Sequence, residues 1–142
     1  MCDNILIEKY PFLYIEEDPT RPWKENEGAW LDNLPPAWVN AFAEQMCSEL
    51  CDALGKYVND FIIFDLKEKY AEMRLYWHWK NREYTDQDVE EMRNVAHNVH
   101  KVIEKYSRIS YHTCVMCGQP ATCYSKGWIL PYCSECFSKK FQ

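Results

Sequence analysis

Hydrophobic positions recur along this chain in two rhythms, and each predicts a different kind of element. Trp38, Phe42, Met46, Leu50 and Leu54 follow one another at four-residue steps, with Cys47, Cys51 and Val58 widening the stripe. A side chain returns to one face of a helix about every 3.6 residues, so this spacing predicts an amphipathic helix over about 36–58. Pro35-Pro36 suits its start, because the first helical turn does not need the N–H that proline lacks, and Asn33 is a nearby cap. Glu44, Glu49 and Asp52 fall on the other face. A second helical rhythm runs through Val89, Met92, Ala96, Val99, Ile103 and Tyr106, broadened by Val95, Val102 and Ile109. It predicts a long helix over about 86–110, capped by Thr85 or Asp86.

Between the helices the period drops to two. In "DFIIFDLKEKYAEMRLYWHWKNR" (60–82), Ile62, Phe64 and Leu66 alternate with other residues, as do Met73, Leu75 and Trp77. Successive side chains of a strand point to opposite faces, so this is the pattern of a β-hairpin over about 60–80, turning within "EKYAE" (68–72). The run "LKEKYAEMRL" also has high helix propensity, and a continuous helix competes. The β-branched and aromatic residues at both ends favour strands. The opposite hairpin face then presents Asp65, Lys67, Arg74, Tyr76, His78 and Lys80, with Tyr70 in the turn. Upstream, residues 3–10 suit a short helix stopped by Pro11. Residues 16–36 hold four of the seven prolines and many acids, which predicts an irregular surface segment pinned by Trp23 and Trp30.

Composition narrows the class. At 142 residues, with 47% hydrophobic and 15% aromatic content, the chain has enough apolar material for a core. No apolar run approaches the roughly 18 residues of a membrane span, and Glu8, Lys9 and Pro11 spoil the N-terminus as a signal peptide. A cytoplasmic protein without membrane association is the expectation. The net charge of −6 is divided unevenly. Residues 1–66 carry 4 Lys/Arg against 13 Asp/Glu, or −9, and residues 67–142 carry 12 against 9, or +3. Affinity for phosphate backbones grows with the number of cations, so such a chain is a poor general polyanion binder.

Chemistry concentrates at the end, in "CVMCGQPATCYSKGWILPYCSEC" (114–136). Cys114-x2-Cys117 and Cys133-x2-Cys136 stand 15 residues apart. A two-residue gap lets one tight turn offer two sulfurs to one ion, and two such turns complete a tetrahedron at about 2.3 Å per bond. In a cytoplasmic protein that pattern predicts Zn²⁺ ahead of disulfides. Four protein ligands leave no open position, so the zinc is structural. "ATCYSKGWILPY" between the pairs reads as a small hairpin and "FSKKFQ" as the start of a terminal helix. A treble-clef-like finger follows, with a plain zinc ribbon as the alternative. Cys123 and His112 lie close enough in sequence to compete as ligands but lack paired spacing. Cys47 and Cys51 read as core residues, and His97 and His100 as surface residues. No P-loop, nucleophile elbow or GxGxxG occurs.

The expected fold is therefore α+β. A β-hairpin or small antiparallel sheet packs on two helices in a body of residues 1–112, followed by a four-cysteine zinc finger over 113–142. The order of Lys9-Tyr10-Pro11, Trp38, Leu50-Cys51, "KEKYAEMRLYW", Cys114-x-x-Cys117-Gly118 and Gly127-Trp128 before Cys133-x-x-Cys136 resembles a family of small uncharacterised proteins of tailed bacteriophages and prophages. That family carries a K-E-K-F-G-x-L-R-F-Y-like segment, so Ala71 stands here in the place of a glycine. Leu34-Pro35-Pro36 likewise replaces a glycine-rich approach to the first helix. The resemblance implies a phage setting in a bacterial cell and a zinc finger, without implying a reaction. The expected function is a non-enzymatic accessory protein that binds and inhibits a host bacterial protein, plausible as a counter-defence factor. One alternative is a binder of a small anionic ligand, such as a nucleotide signal, on Lys67, Tyr70, Arg74, Tyr76, His78 and Lys80. Another is a zinc-finger nucleic-acid regulator, for which Lys126, Lys139 and Lys140 are thin support.

Overall fold

A nine-residue strand β1, Phe61–Lys69, and its antiparallel partner β2, Glu72–Trp79, form the sheet around which the chain is organised. The structure, a computed structural model, describes residues 4–15 and 29–141 of the chain. Its architecture is α+β, as the sequence predicts. Tyr70 and Ala71 make the hairpin turn with φ of 53° and 67°. Both residues in the left-handed region define the tight turn whose twist matches two paired strands.

The register corrects the sequence reading of the hairpin faces. Lys69 pairs with Glu72, Lys67 with Arg74 and Asp65 with Tyr76, but the next pair is Ile63 with Trp77. Phe64 is the extra residue of a β-bulge. One inserted residue reverses the alternation, so Phe61, Ile63 and Leu66 are buried, while Ile62 and Phe64 are only partly covered. The expectation that Ile62, Phe64 and Leu66 share one face fails at that bulge. On β2 the alternation holds, with Met73 and Leu75 buried.

The first long helical run begins at Pro36, as its proline pair predicts. It comprises α2, Pro36–Trp38, a π turn, Val39–Ala43, and α3, Glu44–Leu54. All five four-spaced residues, Trp38, Phe42, Met46, Leu50 and Leu54, are buried. Strict four-residue steps gain about 40° each around an α-helix, so five such positions drift off one face. The wider π turn takes part of that drift back. The α-helix ends earlier than predicted, at Gly55 with φ 54°, and a 3-10 stretch Gly55–Asp60 carries Val58 and leads into β1.

Helix α4 is Asp86–Tyr111. Thr85 is the cap: its side chain accepts a hydrogen bond from Asp88 N at 3.0 Å, and Asp88 accepts one from Thr85 N at 3.2 Å. Met92, Val99, Ile103 and Tyr106 are buried, whereas Val89 in the first turn is exposed. Helix α4 packs on both α3 and β2. It also covers the edge of β2: Met73 N donates to Ser110 Oγ at 2.8 Å, and Ser107 Oγ donates to Met73 O at 2.8 Å. Glu49 on α3 accepts from Lys105 at 2.6 Å and from the Tyr106 hydroxyl, tying the two helices together.

Helix α1, Asn4–Lys9, and a 3-10 turn Pro11–Leu13 cover one end of the core, where the Phe12 ring meets Phe61 edge-on at 5.3 Å. Of the irregular segment expected over 16–36, residues 16–28, including Trp23, lie outside the described residues. Trp30 begins a 3-10 turn, Trp30–Asn33, and is buried.

The C-terminal module has a knuckle at Cys114–Gly118, then β3, Cys123–Tyr124, paired with β4, Pro131–Tyr132, then α5, Ser134–Phe141. It is joined firmly to the body. The buried Trp38 indole donates to Thr113 O at 2.8 Å, and the Tyr124 hydroxyl donates to Tyr111 O at 2.9 Å with the two rings stacked at 4.7 Å.

Candidate metal centre and hairpin surface

The knuckle brings the first cysteine pair together. Cys114 N donates to Gln119 O at 2.8 Å and Gly118 N donates back to Cys114 O at 3.0 Å. Gly118 has φ 79°, and a Cβ there would stand 3.2 Å from Ala37 O. Backbone conformation and close approach both call for glycine at that position. The second pair sits at the start of α5: Cys133 precedes the helix and Cys136 lies in its first turn, with Cys136 N donating to Cys133 Sγ at 3.4 Å.

The Sγ atoms of Cys114, Cys117, Cys133 and Cys136 all lie within 4.8 Å of one another. Cys117 and Cys133 Sγ are 3.6 Å apart. A tetrahedron with bonds of about 2.3 Å has edges of about 3.8 Å, so the four sulfurs fit one ion. The centre is a four-cysteine cluster positioned for a metal. Knuckle, hairpin and a helix bearing the second pair at its start form the treble-clef-like arrangement of the two left open by the sequence. The thiols of the cluster act on one another and are shifted in opposite directions. Burial opposes ionisation of Cys114, but the N–H groups of Cys133, Cys117 and Met116 face its sulfur and bring its pKa down to about 7. Cys136 is pushed up to about 12, chiefly by its hydrogen bond with Cys133. A divalent ion at the centroid is what makes four thiolates compatible at such separations.

The other cysteines and histidines stand apart from this centre. Among the described residues, the four ligands are the group whose donor atoms converge. Cys123 lies on β3, its sulfur 3.7 Å from Thr122 Oγ1. His112 is exposed at the end of α4, its ring edge-on to Tyr111. Cys47 is fully buried in the core and Cys51 half-buried beside it, with burial pushing the Cys51 thiol up. His97 and His100 are exposed, and the His100 ring lies 5.6 Å from that of Trp77.

The outer hairpin face is less cationic in effect than its residue list suggests. Lys67 Nζ pairs with Asp65 at 2.9 Å and Arg74 with Glu72 at 3.4 Å, so each cation has a carboxylate beside it. The Arg74 Nε, however, is buried without a hydrogen-bond partner. Phe64, brought outward by the bulge, centres a small aromatic row, 6.1 Å from Tyr76 and stacked on His78 at 5.7 Å. The sequence reading missed that role for Phe64, because a bulge leaves no mark in a period-two pattern. Lys80 sits past the end of β2, its backbone N–H bound to Asp60 O at 2.7 Å. Tyr70 is 62% exposed at the hairpin tip, under Lys69 at 5.6 Å. The structure therefore gathers Lys67, Arg74, Tyr76 and His78 on one face and leaves Tyr70 and Lys80 at its two ends.

A further contact had no sequence signal. Glu68 accepts the Trp128 indole N–H on one carboxylate oxygen at 2.8 Å and Ala71 N on the other at 3.2 Å. Sixty residues separate the partners, and only docking of the metal module brings them together. Compared with protein-family models, curated proteins and solved structures, the chain finds no match.

Proposed function

We propose that this chain is a non-enzymatic binding protein whose metal is a structural Zn²⁺, and that it acts as a phage-encoded accessory factor that binds and inhibits a host bacterial protein. The observation that carries the binding reading is the meeting of two exposed aromatic tips at Glu68: Tyr70 and Trp128 are 62 and 65% exposed, with Ile129, 39% exposed, next to Trp128 in the chain. Large apolar groups concentrated on a small domain are characteristic of protein contact sites. The metal site supports the same reading, since four thiolates fill a tetrahedral sphere and hold a scaffold together. Soft sulfur donors in that geometry favour zinc among abundant divalent ions. The phage setting and the host target rest on the family resemblance.

The test is affinity purification of the tagged chain from bacterial cells, together with metal analysis. The expected result is one zinc per chain and a host protein recovered in stoichiometric amount. Recovery of none overturns the reading. A second reading, capture of a small anion on the outer hairpin face, is favoured by Lys67 and Arg74 standing opposite each other in the strand register. Calorimetry with a nucleotide panel tests it: Arg74→Ala abolishes any binding, and absence of heat with the wild-type chain removes the idea.

A further inference from the structure

Two hairpin tips that are distant in sequence meet at one carboxylate. Glu68 holds the Ala71 N–H of the body hairpin and the Trp128 indole of the metal module at the same time. Trp128 is thus 65% exposed and yet fixed in orientation. Its loop is also fixed: Ser125 Oγ donates to Trp128 O at 2.6 Å and accepts from Leu130 N at 2.9 Å. An aromatic side chain already ordered before binding loses little entropy when a partner covers it.

Tyr70 supplies the second anchor. It occupies the left-handed region with φ 53°, where asparagine or glycine suits a hairpin turn far better. A large aromatic there is a poor choice for the turn and a good one for contact. Lys69 lies over the Tyr70 ring at 5.6 Å and Lys126 shares the loop of Trp128, two residues before it, and neither forms an ion pair among the described residues. Lys56, Lys67, Lys105 and Lys139, by contrast, each have a carboxylate within 3.2 Å.

We infer that the joined tips, Tyr70 and Trp128 with Ile129, Lys69 and Lys126, are the docking surface, and that its partner is an acidic protein segment bearing a bulky apolar residue. This rests on the protein-binding reading above and adds the surface and the partner's chemistry. The unpaired lysines select acidic groups, and the fixed rings select an apolar side chain. A nucleic-acid strand also stacks on aromatics, but two lysines on a chain of net charge −6 make a sparse phosphate track.

The test is selection of a random displayed peptide library on the full metal-loaded chain. Enriched peptides are then titrated by fluorescence anisotropy against the wild type, Tyr70→Asn, Trp128→Gln and the charge reversals Lys69→Glu and Lys126→Glu. The reversals leave the Glu68 contact intact, so they report on the surface even if Trp128→Gln loosens the module. The expected result is enrichment of acidic sequences with a bulky apolar residue, bound on the order of tenfold more weakly by each aromatic variant and more weakly at high salt. Enriched peptides that bind every variant as tightly as the wild type overturn this surface and leave the protein-binding reading standing. A single-stranded oligo(dT) that binds in a Trp128-dependent manner while no peptide does also overturns it. Failure to select any peptide, together with failure to recover any host protein, overturns both readings.

Discussion

At residue scale, the hairpin turn is where sequence and conformation disagree most. Tyr70 and Ala71 both take positive φ although neither is glycine or asparagine. A left-handed non-glycine residue costs roughly 1–2 kcal/mol. Tyr70 is largely exposed, so Tyr70→Asn gives up little burial. We expect it to raise stability by about 0.5–1 kcal/mol in urea unfolding, and a loss of stability would show that the ring packs more than its exposure indicates. Ala71 differs, because its methyl is fully buried and glycine would forfeit that contact. Asp60 gives a second prediction at this scale. Two hydrogen bonds from Arg82, at 2.6 and 2.9 Å, hold its carboxyl below the usual carboxylate range. A depressed folded pKa contributes stability above the unfolded value, near 4, that is lost as pH falls through the folded one. Asp60→Asn is therefore expected to be less stable than wild type at pH 7 and to lose less stability on titration to pH 3 in thermal melts. The place of Tyr70 in the turn was legible in the sequence but its left-handed backbone was not, and the role of Asp60 was not legible at all: it is one of 22 acids, and its partner is set by the hairpin's closure.

At the scale of elements, periodicity was a reliable guide to both long helical runs, even across the π turn that carries Phe42. The four-residue stripe from Trp38 and the three- and four-residue stripe from Met92 are the buried faces of α3 and α4. It misled where one residue changed the phase, at Phe64 in β1. At Gly55, φ above zero ended the α-helix before Val58. The contact of α4 with β2 depends on polar residues that no apolar pattern reveals. Ser110 is fully buried and accepts the Met73 N–H, which has no strand neighbour on that side. Ser110→Ala preserves helix propensity but leaves that N–H buried and unpaired, at a cost of about 1–3 kcal/mol. Ser107→Ala removes a donor from Met73 O at a less buried position and is expected to cost less. Urea midpoints for the pair check the order, and hydrogen exchange at the Met73 amide checks the site.

At the scale of the whole molecule, the cysteine spacing announced a metal centre but not its attachment. A module of about 30 residues reads in sequence as an appendage. In the structure its knuckle lies so close to α2 that a Cβ at Gly118 would stand 3.2 Å from Ala37 O, a tight contact that adds to the positive φ there. The Trp38 indole, inside the core, is bound to Thr113 immediately before the first ligand. Glu68 ties the far tip of the module to the hairpin turn. Removal of the metal therefore acts on more than the module. Four thiols without an ion cannot hold the knuckle against α5, because the module's own two-residue strands supply little core. Once the knuckle loosens, Trp38 loses its carbonyl acceptor, and a buried indole N–H without a partner costs about 1–3 kcal/mol. The expected outcome of chelation, or of Cys117→Ser, is loss of exchange protection throughout residues 113–141 together with lowered thermal stability of the body. Trp38→Phe in the metal-loaded chain reproduces the second effect without the first if the indole is the coupling group. A body whose melting temperature is unchanged after verified metal removal would show instead that the two parts are stable independently.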